Sequence, residues 1–254
     1  MLGPESYGEA FADVYDDWYG DVSDVAATVA AVRALAGDGP VLELGVGTGR
    51  IALPLAATGT VVHGIDASPA MLAILASKDP AGSVRAVLGD MAAPPVPGPY
   101  RAVFATFNTF FNLWRPDDQA RCVDAAAALL APDGVFAVEV FVPDPAAGIP
   151  DGGDEPLHVD ERSDGAGGRV VRRTRRDRST QTVRGTLEHH RRDGDVVARD
   201  WIIRYLFPAQ LDDLCARAGL TLWRRWADWA GTRYEPEEST HHVSVYRRSA
   251  DPAP

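Results

Sequence analysis

Residues 41–50, VLELGVGTGR, decide the fold of this chain. The first four are apolar apart from Glu43, a pattern that is typical of a strand buried on both faces of a sheet. Glycines then alternate at 45, 47 and 49. Because glycine permits tight turns and close approach to the backbone, a strand that runs into such a turn predicts a nucleotide-like ligand at the start of the next helix.

The bulk composition bounds the class of protein. With 254 residues and 46% hydrophobic content, the chain can bury one domain with an elaboration. A net charge of −11 disfavours nucleic acid as a partner. The acidic, aromatic N-terminus is unlike a signal peptide, and no apolar run is long enough to span a bilayer. Two distant cysteines indicate no disulfide framework and no metal site, so we expect a cytoplasmic protein.

Strand and helix patterns alternate through the first half of the chain. A helix is predicted over 22–35, and another begins at Pro69 with Ser68 as its N-cap. After 41–44, short apolar strands are predicted at 61–66, 84–90, 100–107 and 135–142. This alternation predicts an α/β fold with a parallel sheet covered by helices on both faces.

The pattern changes between about 151 and 207, where apolar and charged residues alternate with period two. Asp193-Gly194 is a hairpin turn signal between two such stretches. We predict an antiparallel insert of about three strands. Its many arginines fit a solvated strand surface, a subunit interface or pocket wall for an anionic acceptor, or, least well, an RNA surface.

Two ligands compete for the glycine turn. Residues 47–52 fit the dinucleotide fingerprint in its loose form, but the fingerprint fails when it starts at Gly45, because Arg50 replaces its third glycine. Glu43, Asp66 and Asp90, however, lie at the ends of three successive predicted strands. Each is about one βα unit from the next, so all three fall at one rim of the sheet. A dinucleotide site explains only the second of these acids.

With an acid two places before three alternate glycines, the chain resembles the class I S-adenosylmethionine (SAM)-dependent methyltransferases. That resemblance implies a doubly wound, seven-stranded Rossmann-like sheet with an antiparallel last strand, and a small antiparallel β insert after strand five. The insert and the stretch FADVYDDWYG (11–20) are most similar to the deoxysugar N-methyltransferase and glycine N-methyltransferase-like group. The expected domains are a helical lid (1–36), a SAM-binding core (37–150 and 201–250) and the insert (151–200), serving the acceptor pocket or a dimer contact.

The resemblance also implies the cofactor SAM, with S-adenosylhomocysteine (SAH) as its product. In this family the acid after the second strand grips the ribose hydroxyls, and the acid after the third contacts adenine. The residues expected to bind the cofactor are Tyr19, Glu43, Gly45, Gly47, Gly49, Asp66, Ala67, Met71, Asp90, Met91, Phe107 and Asn108.

The expected catalytic residues are Tyr15, Asn112, Glu139 and His189. Tyr15 belongs to an aromatic stripe of the lid, which is equally consistent with core packing. Asn112 orients the acceptor in the resembling enzymes, although the segment around it (107–112) also reads as core and turn residues. Glu139 could accept a hydrogen bond from the acceptor or be an ordinary charge at a strand end. His189 could be a general base or have a structural role.

The expected reaction is direct methyl transfer, without a metal, to an amine or hydroxyl of a small molecule, plausibly a specialised metabolite. An RNA or protein methyltransferase and a non-catalytic SAM-binding module are the alternatives. A homodimer is left open.

Overall fold

The computed structural model describes residues 2–20, 22–144 and 158–249. Its helices are α1 (Ser6–Phe11), α2 (Tyr15–Tyr19), α3 (Val25–Ala36), α4 (Ala52–Ala56), α5 (Pro69–Lys78), α6 (Pro116–Leu129) and α7 (Pro208–Arg217). Its strands are β1 (Val41–Leu44), β2 (Val62–Asp66), β3 (Val84–Leu88), β4 (Tyr100–Ala105), β5 (Leu130–Phe141), β6 (His158–Ser163), β7 (Arg169–Asp177), β8 (Thr182–His190), β9 (Val196–Arg204), β10 (Leu220–Trp226) and β11 (His241–Arg248). No helix in these ranges is long and apolar enough to cross a bilayer.

Seven strands form the main sheet in the order β10-β11-β5-β4-β1-β2-β3. The strands β1 to β5 pair in parallel, whereas β11 is antiparallel to both β5 and β10. The predicted seven-stranded sheet with one reversed strand is confirmed. Successive strands are added on one side of β1 and then on the other, so strand order reverses there. A ligand crevice is expected at such a switch point, outside the carboxyl ends of the strands.

Helices cover both faces of this sheet over two apolar clusters. The Ser68 hydroxyl accepts the Met71 amide at 3.1 Å, which confirms the predicted cap of α5. The helix predicted over 22–35 begins later, because Asp24 caps it by accepting the Ala27 amide at 2.9 Å. Val32 and Ala36 of α3 are buried in the same cluster as β1, so α3 packs as part of the core rather than with a lid.

The second sheet is antiparallel, in the order β6-β7-β8-β9. About three strands were predicted, and four are found. The strand missed is β6, whose largely charged sequence suits a sheet edge and carries little of the apolar alternation that marks a half-buried strand. The Asp193-Gly194 turn joins β8 to β9 as predicted. Strand β9 continues to Arg204, past the expected boundary at 200. Residues 145–157, where the expected core and insert meet, and the tail from 250 lie outside the described residues.

An N-terminal segment (residues 2–20) lies between the insert sheet and the helix side of the core. Phe11 and Val14 pack there against Met71 of α5 and against Val170 and Leu187 of the insert sheet. This third apolar cluster joins the two sheets across the rim at which the main strands end.

Glu9 fixes the first helix of this segment to the start of α5. Its carboxylate accepts the Ser68 hydroxyl at 2.7 Å and the Ala70 amide at 3.0 Å. These bonds lower the pKa of Glu9, the amide being the main cause. Gly8 makes the close approach possible, because a Cβ there would lie 2.3 Å from the Cβ of Ser68.

Two further acids fix the rest of the segment. Asp16 accepts the Thr48 hydroxyl at 2.7 Å and pairs with Lys78, the chain's single lysine. Asp13 pairs with Arg199 of β9 at 2.6 Å, and the Arg199 side chain is only 2% exposed, against 53% for Asp13. The segment is therefore held on one side by the core and on the other by the insert sheet.

We predict that Asp13→Asn loosens this segment, because buried Arg199 would lose its carboxylate. Breaking a fully buried pair costs about 3–5 kcal/mol, and the exposure of Asp13 reduces this to about 1–2 kcal/mol. Amide hydrogen exchange in residues 6–19 should become about tenfold faster. Asp17→Asn is the matched control, since Asp17 is an exposed acid of the same segment. Equal exchange in both variants would contradict the anchoring role.

Candidate active site

One cavity of about 280 Å³ lies at the carboxyl ends of the parallel strands. Its floor is formed by the turns that follow β1, β2, β3 and β4. Its roof comes from the N-terminal segment, and its far wall from strands β7, β8 and β9.

The three glycines after β1 have positive φ angles of 70°, 54° and 85°, each for a different reason. A Cβ on Gly45 would lie 2.2 Å from the Cγ2 of Thr109, so the β1 and β4 turns touch there. A Cβ on Gly47 would meet nothing within 4 Å, which leaves open space beside the backbone. Gly45 and Gly47 line the cavity. Gly49 does not line it; its neighbours are Leu53 and Leu75 of the covering helices.

Asp66, at the end of β2, is held by two backbone amides. Its Oδ2 accepts the Gly47 amide at 2.8 Å, and its Oδ1 accepts the Ser68 amide at 2.9 Å. Burial raises the pKa of Asp66, and these amides oppose the rise. Each carboxylate oxygen can accept a further bond. Because Asp66 lines the cavity, its fixed carboxylate can receive two donors from a ligand.

The loop after β3 brings the predicted Asp90 and Met91 to the same floor. The Oδ1 of Asp90 accepts the Ala92 amide at 2.8 Å, which fixes that carboxylate as well. Ala67 and Met71 also line the cavity, beside Asp66.

Glu43 lies beneath the glycine turn and does not line the cavity. Its side chain is buried, and its Oε2 has no hydrogen-bond partner in the described structure. Burial raises the pKa of Glu43 to about 8; the guanidinium of Arg50 opposes that rise, and the nearby Asp66 adds to it. The structure therefore separates Glu43 from the two acids with which its sequence spacing grouped it.

The turn after β4 holds two consecutive non-glycine residues in the left-handed region, Phe107 at φ 48° and Asn108 at φ 64°. Each such residue costs about 1–2 kcal/mol. The Oε2 of Glu139 accepts the Phe107 amide at 2.8 Å, and its backbone oxygen accepts the Asn108 amide at 3.0 Å. Phe107 and Asn108, predicted to bind the cofactor, line the cavity, whereas Glu139 lies behind them.

Asn112 closes the short 3₁₀ helix that follows this turn, and it lines the cavity. Phe110 and Phe111 in the same helix are fully buried. The two interpretations of residues 107–112 thus both hold, for different side chains: the phenylalanines at 110 and 111 are core, and Phe107, Asn108 and Asn112 face the cavity.

The roof is aromatic. Tyr15 and Tyr19 both line the cavity, with ring centroids 5.1 Å apart, and the ring of Tyr19 lies 6.0 Å from that of Phe107. Tyr7 joins them and was not predicted, although it lies four residues before Phe11 on one helical face. Burial raises the pKa of the Tyr7 and Tyr15 hydroxyls.

His189, predicted as a candidate base, does not line the cavity. Its Nε2 lies 2.9 Å from the Oδ2 of Asp164, and its ring packs edge-on against Trp18 at 5.2 Å. The bond to His189 is the main reason why the pKa of Asp164 falls to about 2. The geometry therefore gives His189 a contact between the insert sheet and the N-terminal segment, away from the ligand space.

The far wall is formed by three residues that were not predicted and by Arg172, one of the insert arginines for which a pocket wall was one interpretation. Leu187, Trp201 and Ile203 of the insert sheet make it largely apolar, and Arg172 adds one cation that is paired with Asp160 at 2.6 Å. Period-two alternation locates strands, but it does not indicate which face meets a cavity. No sequence signal could have separated these four residues from their neighbours.

Comparison with known proteins identifies relatives of this chain. A family model described as a methyltransferase domain matches residues 41–134. Comparison with curated protein sequences gave no match. The structure of the CcbJ methyltransferase from Streptomyces caelestis is 36% identical, with a TM-score of 0.85; the match covers 98% of this chain and 100% of that one.

Two further solved structures share the fold over nearly the full length. The sugar N-methyltransferase KedS8 from Streptoalloteichus sp. ATCC 53650 is 25% identical, with a TM-score of 0.68 and 93% of each chain covered. CalS10, an amino pentose methyltransferase from Micromonospora echinaspora, is 24% identical, with a TM-score of 0.67 and coverage of 98% of this chain and 99% of that one.

We predict that buried Glu43 makes stability pH-dependent. Its pKa rises from 4.5 in the unfolded chain to about 8 in the folded one, so the folded state holds the proton more tightly. The stabilising contribution of Glu43 is therefore fully present below pH 4.5 and is lost as the pH rises to about 8. Between about pH 5 and pH 8, the free energy of unfolding in urea should fall by at least about 1 kcal/mol more for the wild type than for Glu43→Gln. Parallel pH profiles would contradict this expectation.

Proposed function

The chain belongs to the class I SAM-dependent methyltransferases, and from that premise we propose that it transfers a methyl group to an amine of a small molecule. The observation that carries the proposal is the chemistry of the cavity wall: fixed carboxylates lie at one end, and the other end is apolar, without a histidine among its described residues.

The floor fits SAM. The open space beside Gly47 lets a ligand reach the backbone, which a side chain would prevent. Asp66, fixed by two amides, suits the two donors of a ribose diol, and each charge-assisted bond contributes about 1.5–3 kcal/mol. Asp90 offers acceptors to the exocyclic amine of adenine. We infer that these residues, with Ala67 and Met91 beside them, hold the adenosyl group.

When bound, SAM supplies an electrophilic methyl group on a positively charged sulfur. The contribution of the protein is to hold the acceptor in line and to exclude water. Tyr15 and Tyr19 cover the cavity from above, and the amide of Asn112 can orient the polar end of an acceptor. Trp201 and Leu187 offer an apolar surface to the rest of it. A cavity covered by two chain segments suits a small acceptor better than a nucleic acid or a protein.

An amine is favoured over a hydroxyl because a neutral amine is nucleophilic enough to react without a base, whereas a hydroxyl has to lose its proton to a base as it reacts. The titratable side chains on the described cavity wall are two aspartates at the cofactor end, one arginine, and the tyrosines of the roof. Burial raises the pKa of Tyr7 and Tyr15, so these hydroxyls are poor bases near neutral pH. General-base catalysis contributes about 10²–10⁴-fold, and an unactivated hydroxyl would have to react without it.

The sugar N-methyltransferase among the relatives supports the same choice of nucleophile. The acceptor we propose is therefore an amine-bearing specialised metabolite with an apolar or sugar-like body. The cavity composition does not favour either alternative, an RNA or protein methyltransferase or a SAM-binding module without turnover.

We predict that Asp66→Ala raises the Kd for SAM at least about tenfold, because the loss of a single charge-assisted hydrogen bond weakens binding by about this factor. Titration calorimetry with SAM and with SAH measures the effect. Asp124→Ala, which removes an exposed acid of α6, should leave both affinities unchanged. An unchanged affinity in Asp66→Ala would remove this residue from the ribose site.

We also predict that the acceptor, not the protein, sets the lower limb of the pH–rate profile. Initial rates of SAH formation should be measured with two amines whose pKa values differ by about two units; the limb should move by a similar amount. Alcohols of matched shape should react at least about 100-fold more slowly. A limb that stays fixed with both amines would indicate a base supplied by the protein and contradict this mechanism.

A further inference from the structure

The strained conformation of the turn at Phe107 and Asn108 has to be stabilised by its surroundings. Consecutive left-handed residues without glycine persist only where their surroundings over-determine them. The turn is also in the centre of the cavity floor: Thr109, which follows it, touches Gly45, and Asn112 lies one helical turn further on.

One carboxylate oxygen, that of Glu139, helps to hold the turn in this conformation. The Oε2 of Glu139 accepts the Phe107 amide at 2.8 Å and the indole Nε1–H of Trp229 at 2.9 Å. Other bonds of the turn do not use this side chain: the Thr109 amide closes it by donating to the backbone oxygen of Thr106 at 3.1 Å, the Asn108 amide donates to the backbone oxygen of Glu139 at 3.0 Å, and the Phe141 amide donates to the Oδ1 of Asn108 at 2.7 Å.

Trp229 comes from a distant part of the chain, the connection between β10 and β11. That connection is itself folded, since the Ala227 amide donates to Thr232 at 2.8 Å and Asp228 accepts the Thr232 amide at 3.1 Å. The indole is only 5% exposed. Neither Trp229 nor Glu139 lines the cavity, so any effect on the reaction has to pass through the Phe107 turn.

Phe107 connects this turn to the roof and to the glycine turn. Its ring lies 6.0 Å from that of Tyr19, and the guanidinium of Arg50 lies 5.2 Å above it. A shift of the Phe107 amide would therefore displace the floor beside the roof aromatics and change the alignment of both ligands.

We propose that Glu139 and Trp229 are a positioning pair: together they hold the Phe107–Asn108 turn in the geometry that aligns cofactor and acceptor. This inference rests on the proposed function. It assigns Glu139 a role other than the acceptor contact expected from the sequence, and it assigns a role to Trp229, which was not predicted.

Two variants test the pair without removing its bulk. Trp229→Phe deletes the indole N–H and keeps an aromatic ring, whereas Glu139→Met keeps a side chain of similar length and removes the carboxylate that accepts from both donors. Trp226→Phe, on β10 of the same hairpin, is the matched control. Amide exchange at Phe107, measured by NMR with saturating SAH, should become at least about tenfold faster in both variants and not in the control.

Kinetics and binding provide the second measurement. With SAM and the best amine acceptor, kcat should fall at least about tenfold in both variants, while the Kd for SAM by calorimetry changes less than about threefold. Loss of fold would lower the affinity for SAM as well, so this split separates positioning from unfolding.

The outcomes distinguish this inference from the proposed function. Unchanged exchange at Phe107, or faster exchange with an unchanged kcat, would overturn the positioning pair. If wild-type protein binds SAM but methylates no amine, the proposed function is wrong. In that case, faster Phe107 exchange confined to the two variants would still show that Glu139 and Trp229 hold the turn in place.

Discussion

The hydrogen bond from the Gly47 amide to the Asp66 carboxylate joins the ends of β1 and β2, and the ligand site depends on it. It forms only because Gly47 adopts a positive φ that turns its amide toward the neighbouring strand. The same bond fixes the carboxylate whose free lone pairs face the cavity. One backbone conformation thus shapes the floor and orients its principal acid.

Acidic residues are used twice in this structure, with different surroundings. Asp66 and Asp90 face the cavity, where amides fix them for a ligand. Glu9, Asp13 and Asp16 instead bind amides, hydroxyls and cations of the core and the insert sheet. The net charge of −11 therefore does not come from surface acids alone. Some of these acids bind the N-terminal segment to the rest of the molecule.

Fold alone does not determine an acceptor, and in the proposed function the roof and the far wall select it. The fold is shared with structures that are 36% and 24% identical to this chain. The wall facing the glycine turn is built by the N-terminal segment and by strands β7, β8 and β9. The amine that we propose as acceptor is nucleophilic when neutral, so it would need only orientation and exclusion of water from such a wall.

The sequence by itself determined the alternation of strands and helices and the rim at which Asp66 and Asp90 meet, because βα spacing sets which strand ends coincide. The seven-stranded sheet with a reversed last strand followed from the resemblance to the family, and the order of its strands came from the structure. The sequence also located the insert and the Ser68 cap of α5, but not the Asp24 cap of α3. Only the tertiary structure decided that Glu43 lies beneath the floor, that Glu139 faces Phe107 and Trp229, and that Leu187 and Trp201 close the cavity. Those outcomes depend on burial and on partners distant in sequence, which spacing along the chain does not encode.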